Sequence, residues 1–288
     1  MRLDRLATLA LFHPLARRAR VAGGARSSIL MYHSVSESSD GARHPYYMTN
    51  TTPSQFALQM QALKDSDCDI VPLKDVADAR GASATGTRPR VAITFDDGYR
   101  DFLVHAFPVL ARFGYAACVF LPTRYVGERT QTFNDRPCLT WSEVRELHAA
   151  GVEFGSHTVT HPQLYDVPAQ ILGAEVLDSK LEIEQRLGSE VASFSYPYAF
   201  PEHDAAFSKR LRSLLKRCGY RYGVSTIVGT ITPADDAYFL PRLPVNLKDD
   251  AKLLEAKLAG GYDWVHSVQL ATKHVKQTHR RLKWVAGR

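Results

Sequence analysis

The chain has 288 residues, 45% of them hydrophobic and 23% charged, enough to bury a full core and ordinary for a soluble protein. Its formal charge of +6 favours anionic surroundings only mildly, and nothing in it requires a nucleic-acid partner. Four scattered cysteines (Cys68, Cys118, Cys138, Cys218) with no C-x-x-C pair argue against a disulfide framework and against a thiolate zinc site.

The first twenty residues carry arginines and a short apolar patch that Asp4 and His13-Pro14 interrupt. They are too short to span a bilayer, and no small-residue cleavage site follows. They read as a basic amphipathic helix, with an unusual export signal as the alternative, and the expected location is the cytoplasm or the periphery of the inner membrane. Ser28 to His33 reads as a first strand, followed by a polar loop to Asn50. Thr52-Pro53-Ser54-Gln55 has the capping-box pattern, and Phe56, Met60 and Leu63 then recur at helical spacing. Ile70 to Leu73 reads as a short strand or edge, and Gly81 to Pro89 as a loop.

Val91 to Phe95 is a buried, β-branched strand that ends in Asp96-Asp97-Gly98. A helix from about Asp101 to Phe113 is interrupted by Pro108 and closed by Gly114. Strands then recur at Ala116–Leu121, Val152–Gly155, Val191–Tyr196, Tyr222–Ile227 and Phe239–Val245. Helices lie between them at about 140–151, 168–187 and 204–218. Regular alternation of this kind means parallel βαβ units in one domain, as an open sheet or a barrel. Each unusual stretch falls just after a strand, on the face where such folds build active sites.

Two adjacent carboxylates repel unless a cation or a shared proton sits between them. Taken alone, Asp96-Asp97-Gly98 also reads as an Asp-capped turn. His157 and His161 are four apart, a spacing that puts both on one side of a helical turn and lets them share an ion. With eleven histidines in the chain, core packing is the competing reading. A carboxylate with two imidazoles and open positions would be a catalytic set rather than a closed structural one. The aromatic stretch Phe194 to Phe200, the pair Tyr32-His33 and Arg242 in Pro241-Arg242-Leu243 each also read as ordinary packing or surface.

T-F-D-D-G (94–98), S-H-T-V-T-H-P (156–162) and Y-P-Y (196–198), in this order, resemble the polysaccharide deacetylase family, the NodB-homology or carbohydrate esterase family 4 domain. The resemblance runs from about Ile29 to Val245, and M-Y-H (31–33) resembles the poly-N-acetylglucosamine deacetylase branch. It implies a single-domain distorted (β/α) barrel with its active site at the strand C-terminal ends. The expected divisions are an N-terminal basic extension (1–27), the deacetylase domain (28–247) and a basic helical tail (248–288).

By the same resemblance, Asp96 would be the general base, and Asp97, His157 and His161 the metal ligands. The peptide N–H of Tyr198 would help hold the oxyanion, with Pro197 and Tyr196 beside the substrate and His33 as general acid. The arginine that orients the base in the family would fall at Phe194, so the pattern departs there, and Arg242 is the substitute. No late L-x-H motif is found, which strengthens His33. The implied cofactor is one divalent ion, zinc before cobalt, nickel or manganese. The implied activity removes N-acetyl groups from sugars of an exopolysaccharide or its lipid-linked precursor. The alternatives are a deacylase or deformylase of a lipid-linked amino sugar, or an inactive sugar-binding relative. The basic ends, with Trp264, Lys273 and the residues after it, read either as a terminal helix with one solvated face or as a contact with a membrane surface.

Overall fold

The computed structural model describes residues 3–23, 26–38, 48–78 and 88–273. The strands run in chain order as β1 (Ser28–Tyr32), β2 (Ser34–Val35), β3 (Asn50–Thr51), β4 (Asp69–Ile70), β5 (Arg90–Phe95) and β6 (Cys118–Leu121). They continue as β7 (Thr132–Phe133), β8 (Arg136–Pro137), β9 (Glu153–Ser156), β10 (Ser193–Ser195), β11 (Tyr222–Val228) and β12 (Leu240–Pro244). Seven of them close a parallel barrel in the order β1-β12-β11-β10-β9-β6-β5, with β5 returning to β1. Alternation allowed an open sheet as well as a barrel. Pairing of Ser28 through Tyr32 with Val91 through Phe95 decides for the barrel. β4 takes the N-terminal half of β5's other edge and β6 the C-terminal half.

Side chains alternate across each strand, so every barrel strand feeds two layers. Leu30, Ile93, Phe95, Val119, Leu121 and Leu243 join the large core beneath the helices. Ile29, Ala92, Phe120, Val224 and Leu240 form the smaller cluster inside the barrel. The interior is tight: a Cβ on Gly155 would lie 2.5 Å from the Phe120 ring, so β9 needs glycine there. The same alternation that sends Ala92 inward sends Thr94 and then Asp96 to the same side, at the barrel's mouth.

Local chemistry sets the helix ends. Thr140 and Glu143 make the reciprocal capping box that opens the helix Trp141–Ala149. At Pro53–Asp65 only half of the expected box forms. Thr52 accepts from the Gln55 N–H, but the Gln55 side chain donates to the Asp249 carbonyl instead of turning back. Pro108 does not break its helix. A π-helical turn at Phe102–Ala106 precedes it, which places the proline in the first turn of Phe107–Phe113, where no donor is needed. Ile70 to Leu73 is strand only at Asp69–Ile70, and a helix, Leu73–Asp78, that the sequence reading lacked begins directly after Pro72.

The chain ends pack on each other. The N-terminal helix (Leu3–Ala7, a π turn at Thr8–Phe12, then His13–Gly23) lies against the segment after the helix Ala251–Leu258. Phe12 stacks on Trp264, Trp264 Nε1 donates to Thr8 Oγ1, and the Tyr262 hydroxyl donates to Asp4. Residues 264–273 are helical, and the basic residues from 274 onward lie outside the described residues. Among the described residues, no helix is long and apolar enough to cross a membrane.

Candidate active site

The β5 strand runs apolar to Phe95 and then turns. Asp96 N–H donates to the Tyr32 carbonyl, and Asp97 and Gly98 adopt left-handed conformations, at φ 72° and 59°. Gly98 is required twice over, because a Cβ there would also lie 2.8 Å from Leu121 Cδ2. The turn separates the two acids. Asp96 points into the barrel, and Asp97 faces the loop after β9.

Arg242, on β12, is buried inside the barrel and grips Asp96 with both arms. Nη1 donates to Oδ1 at 2.8 Å and Nη2 to Oδ2 at 2.7 Å. Its Nε donates to the Ser225 carbonyl at 2.9 Å, and its Nη2 also reaches Ser195 Oγ, which in turn donates to Asp96 Oδ1 at 3.2 Å. The guanidinium on Asp96 thus comes from β12 and not from position 194. Phe194 itself is core, edge-on to Tyr220. Burial alone would raise the Asp96 pKa. Arg242 outweighs burial, with His157 assisting, and holds the carboxyl well below the usual carboxylate range.

His157 follows β9 directly. Its Nδ1 donates to the Ser195 carbonyl at 2.8 Å, which leaves the Nε2 lone pair facing Asp97 and His161. The three inward atoms form a tight triangle. Nε2 of His157 and His161 are 3.2 Å apart, and Asp97 Oδ1 is 3.6 and 3.4 Å from them. Three donors bound tetrahedrally at zinc distances are separated by about 3.3 Å, so the set fits a divalent ion of that size. Burial, then His157, lowers His161 to about 3, so its imidazole stays neutral. Burial lifts Asp97 to about 6, with His157 opposing and Asp96 adding to the rise. Those shifts are what an ion-free cluster of converging donors should show, and a cation would reverse that of Asp97.

The H-x-x-x-H spacing does not work through a helix. Residues 157–161 form an irregular loop in which Thr158 and His161 are left-handed, at φ 71° and 56°. Glu175, from the helix Ala169–Leu187, holds that loop. Its buried carboxylate accepts from the N–H groups of Val159 and Thr160 at 2.9 and 2.8 Å and from Thr160 Oγ1 at 2.6 Å. The His161 ring is wedged between Phe133 and Tyr198, with centroids 5.0 and 4.7 Å away. Sequence reasoning missed Glu175, and it missed Tyr99, whose hydroxyl donates to Asp97 and accepts from the Asn134 amide. Glu175→Ala is expected to weaken the affinity for a divalent ion roughly 10- to 100-fold, the usual effect of losing a ligand's supporting partner. Calorimetric titration of the metal-free protein checks this, and unchanged affinity would remove the role.

A cleft of about 850 Å³ opens over these groups, within the roughly 300–1,000 Å³ of small-molecule sites. His33, Asp96, Asp97, His157, His161, Tyr196 and Tyr198 all line it. His33 Nε2 lies 4.0 Å from Asp96 Oδ2. Tyr198 is left-handed at φ 58°, and its carbonyl is fixed by Thr226 Oγ1 at 2.9 Å. Tyr196 is buried against Phe200 and Phe207. Pro197 is buried and is not among the residues lining the cleft.

Residues 83–223 match the polysaccharide deacetylase family. The Bacillus subtilis protein YxkH is 27% identical over 222 residues, covering 77% of this chain and 72% of that one. A Staphylococcus aureus poly-β-1,6-N-acetyl-D-glucosamine N-deacetylase is 24% identical over 211 residues, 70% of this chain and 69% of that one. Among solved structures, the Streptococcus pyogenes deacetylase PplD in complex with acetate superposes with a TM-score of 0.70 at 23% identity. It covers 82% of this chain and 99% of that one, and shows the shared fold.

Proposed function

We propose that the chain, of which residues 83–223 match the polysaccharide deacetylase family, is a metal-dependent N-deacetylase of β-1,6-linked N-acetylglucosamine chains or their lipid-linked precursor. One observation carries the reading: a three-donor metal triangle stands beside a carboxylate that Arg242 keeps ionised and aimed into the same cleft.

A divalent ion held by Asp97, His157 and His161 would supply Lewis acidity at the amide carbonyl and a more acidic water. Zinc suits the donors, which also accept cobalt, nickel or manganese. Asp96 takes the proton of the attacking water, because it is ionised at any working pH and held in one orientation by two guanidinium bonds. His33 stands beside Asp96 in the cleft and donates to the departing amine. The N–H of Tyr198 donates to the oxygen on which charge develops, and the left-handed backbone there is the kind of strain that functional sites keep. The products are acetate and a free amino sugar.

The test is product analysis with zinc-loaded protein and β-1,6-linked N-acetylglucosamine oligomers. Acetate and new amines in equal amounts support the reading. Release only from N-formyl or longer N-acyl sugars would replace it with a different deacylase, and tight binding without turnover would make the chain a sugar-binding relative.

A further inference from the structure

The positive charge of the chain sits at its two ends. Residues 1–27 hold six arginines against one acid, Asp4, and residues 264–288 hold six basic residues and no acid. The residues between them hold 24 basic against 29 acidic side chains, so the net +6 hides two basic ends on an acidic body. The fold brings the start of one end against the other, with Phe12 stacked on Trp264 at 4.9 Å.

The inner face of the N-terminal helix is used up by that contact, through Asp4, Thr8 and Phe12. Among the described residues, its outer face is left exposed. Leu3 is 71% exposed, Leu6 45%, Leu11 54% and Leu15 51%. In an uninterrupted α-helix Leu11 and Leu15 would rotate away from Leu3 and Leu6. The π turn at Thr8–Phe12 is wider, with i→i+5 bonds, and it turns the later residues back so that the four leucines share one side. Arg17 and Arg18 are exposed immediately beyond Leu15.

We infer that this leucine row docks the enzyme on an anionic lipid bilayer. The leucines would enter the boundary of the acyl chains, and the arginines would meet the phosphates. A second copy of the chain is the poorer occupant, since pairing two such faces would bring two arginine-rich strips together. The helical residues 264–273 run from the inner face of the N-terminal helix to the cleft. Trp264 lies on Phe12, the Gln269 amide donates to the carbonyl of Thr226, a cleft residue, and Lys273 pairs with Glu202 at 2.7 Å. This inference does not depend on which sugar is cleaved.

The experiment is flotation of the full chain with vesicles of phosphatidylglycerol and phosphatidylcholine, against vesicles of phosphatidylcholine alone. Binding at least tenfold tighter to the anionic vesicles is expected. The double variant Leu6→Asp/Leu11→Asp should lower that binding at least tenfold while hydrolysing soluble oligomers at the parental rate. Arg17→Gln/Arg18→Gln should lower it too and flatten its salt dependence. Three results would overturn the inference: no vesicle binding by the parent, undiminished binding by the leucine variant, or a parental dimer that the leucine substitutions turn into a monomer. Turnover of soluble oligomers is read separately, so failure of docking and failure of the deacetylase reading are distinguishable.

Discussion

Asp96→Asn is expected to lower kcat for acetate release by roughly 10²- to 10⁴-fold, the usual contribution of a positioned general base. The substitution keeps the volume and removes the proton acceptor. Asn can accept from only one arm of Arg242, so a stability loss of about 1–3 kcal/mol should accompany it, from a guanidinium left partly unpaired in the barrel. Zinc affinity should hardly change, because Asp97 and not Asp96 belongs to the donor triangle. Measuring kcat, unfolding and metal stoichiometry on the same preparation separates the three effects. Parental kcat in a zinc-loaded Asp96→Asn protein would show that another group takes the proton.

Arg242→Met should be costlier to the fold. It leaves a buried carboxylate with no guanidinium, which destabilises by about 3–5 kcal/mol near pH 7. The sign of the pH dependence follows from Asp96. In the parent its folded pKa is depressed, so its contribution is present above the unfolded value of about 4 and is lost as pH falls through the folded one. In the variant burial dominates and the folded pKa rises above the unfolded one, so ionisation penalises the fold. The stability gap between the two proteins should therefore be widest near pH 7, shrink as pH falls through the variant's raised pKa, and close only as pH falls further through the parent's depressed one. Activity should respond in parallel. Asp96 does not limit the parent on the acid side, whereas in the variant an acid limb should appear at higher pH. Urea unfolding at two pH values and a pH–rate profile check both. Equal stability at pH 7 with an unaltered profile would remove Arg242 from the account.

Much of this site is legible in the linear chain because strand ends are. Val91 to Phe95 could only be a buried strand, and two acids at its end needed an explanation. The histidines after β9 were readable for the same reason, although their geometry was not. The four-residue spacing suggests a helical turn, while the structure uses a loop with two left-handed residues. That loop depends on Glu175, fourteen positions beyond His161, which in the sequence is one charge among several on an amphipathic helix. Its three acceptor bonds to residues 159 and 160 exist only once that helix packs on the barrel.

Arg242 shows the same limit from the other side. Within Pro241-Arg242-Leu243 nothing distinguishes it from a surface arginine, and the family position at Phe194 points elsewhere. Only barrel closure puts β12 beside β1 and carries the guanidinium to Asp96. Closure itself was open to sequence reasoning only as one of two outcomes of strand–helix alternation, since the β1–β5 pairing joins segments about sixty residues apart. The leucine row was masked in another way. As a plain α-helix the N-terminal segment spreads its leucines around the axis, and the π turn that aligns them leaves no mark in composition.

The most direct test is a metal titration of acetate release. Protein stripped by a chelator and dialysed should release no acetate from β-1,6-linked N-acetylglucosamine oligomers. Activity should return linearly with added zinc and level off at one equivalent per chain, and Asp97→Asn, which damages the donor triangle, should stay inactive at that level. Full activity in the stripped protein, or recovery of Asp97→Asn by the same single equivalent, would contradict a hydrolase built on Asp97, His157 and His161.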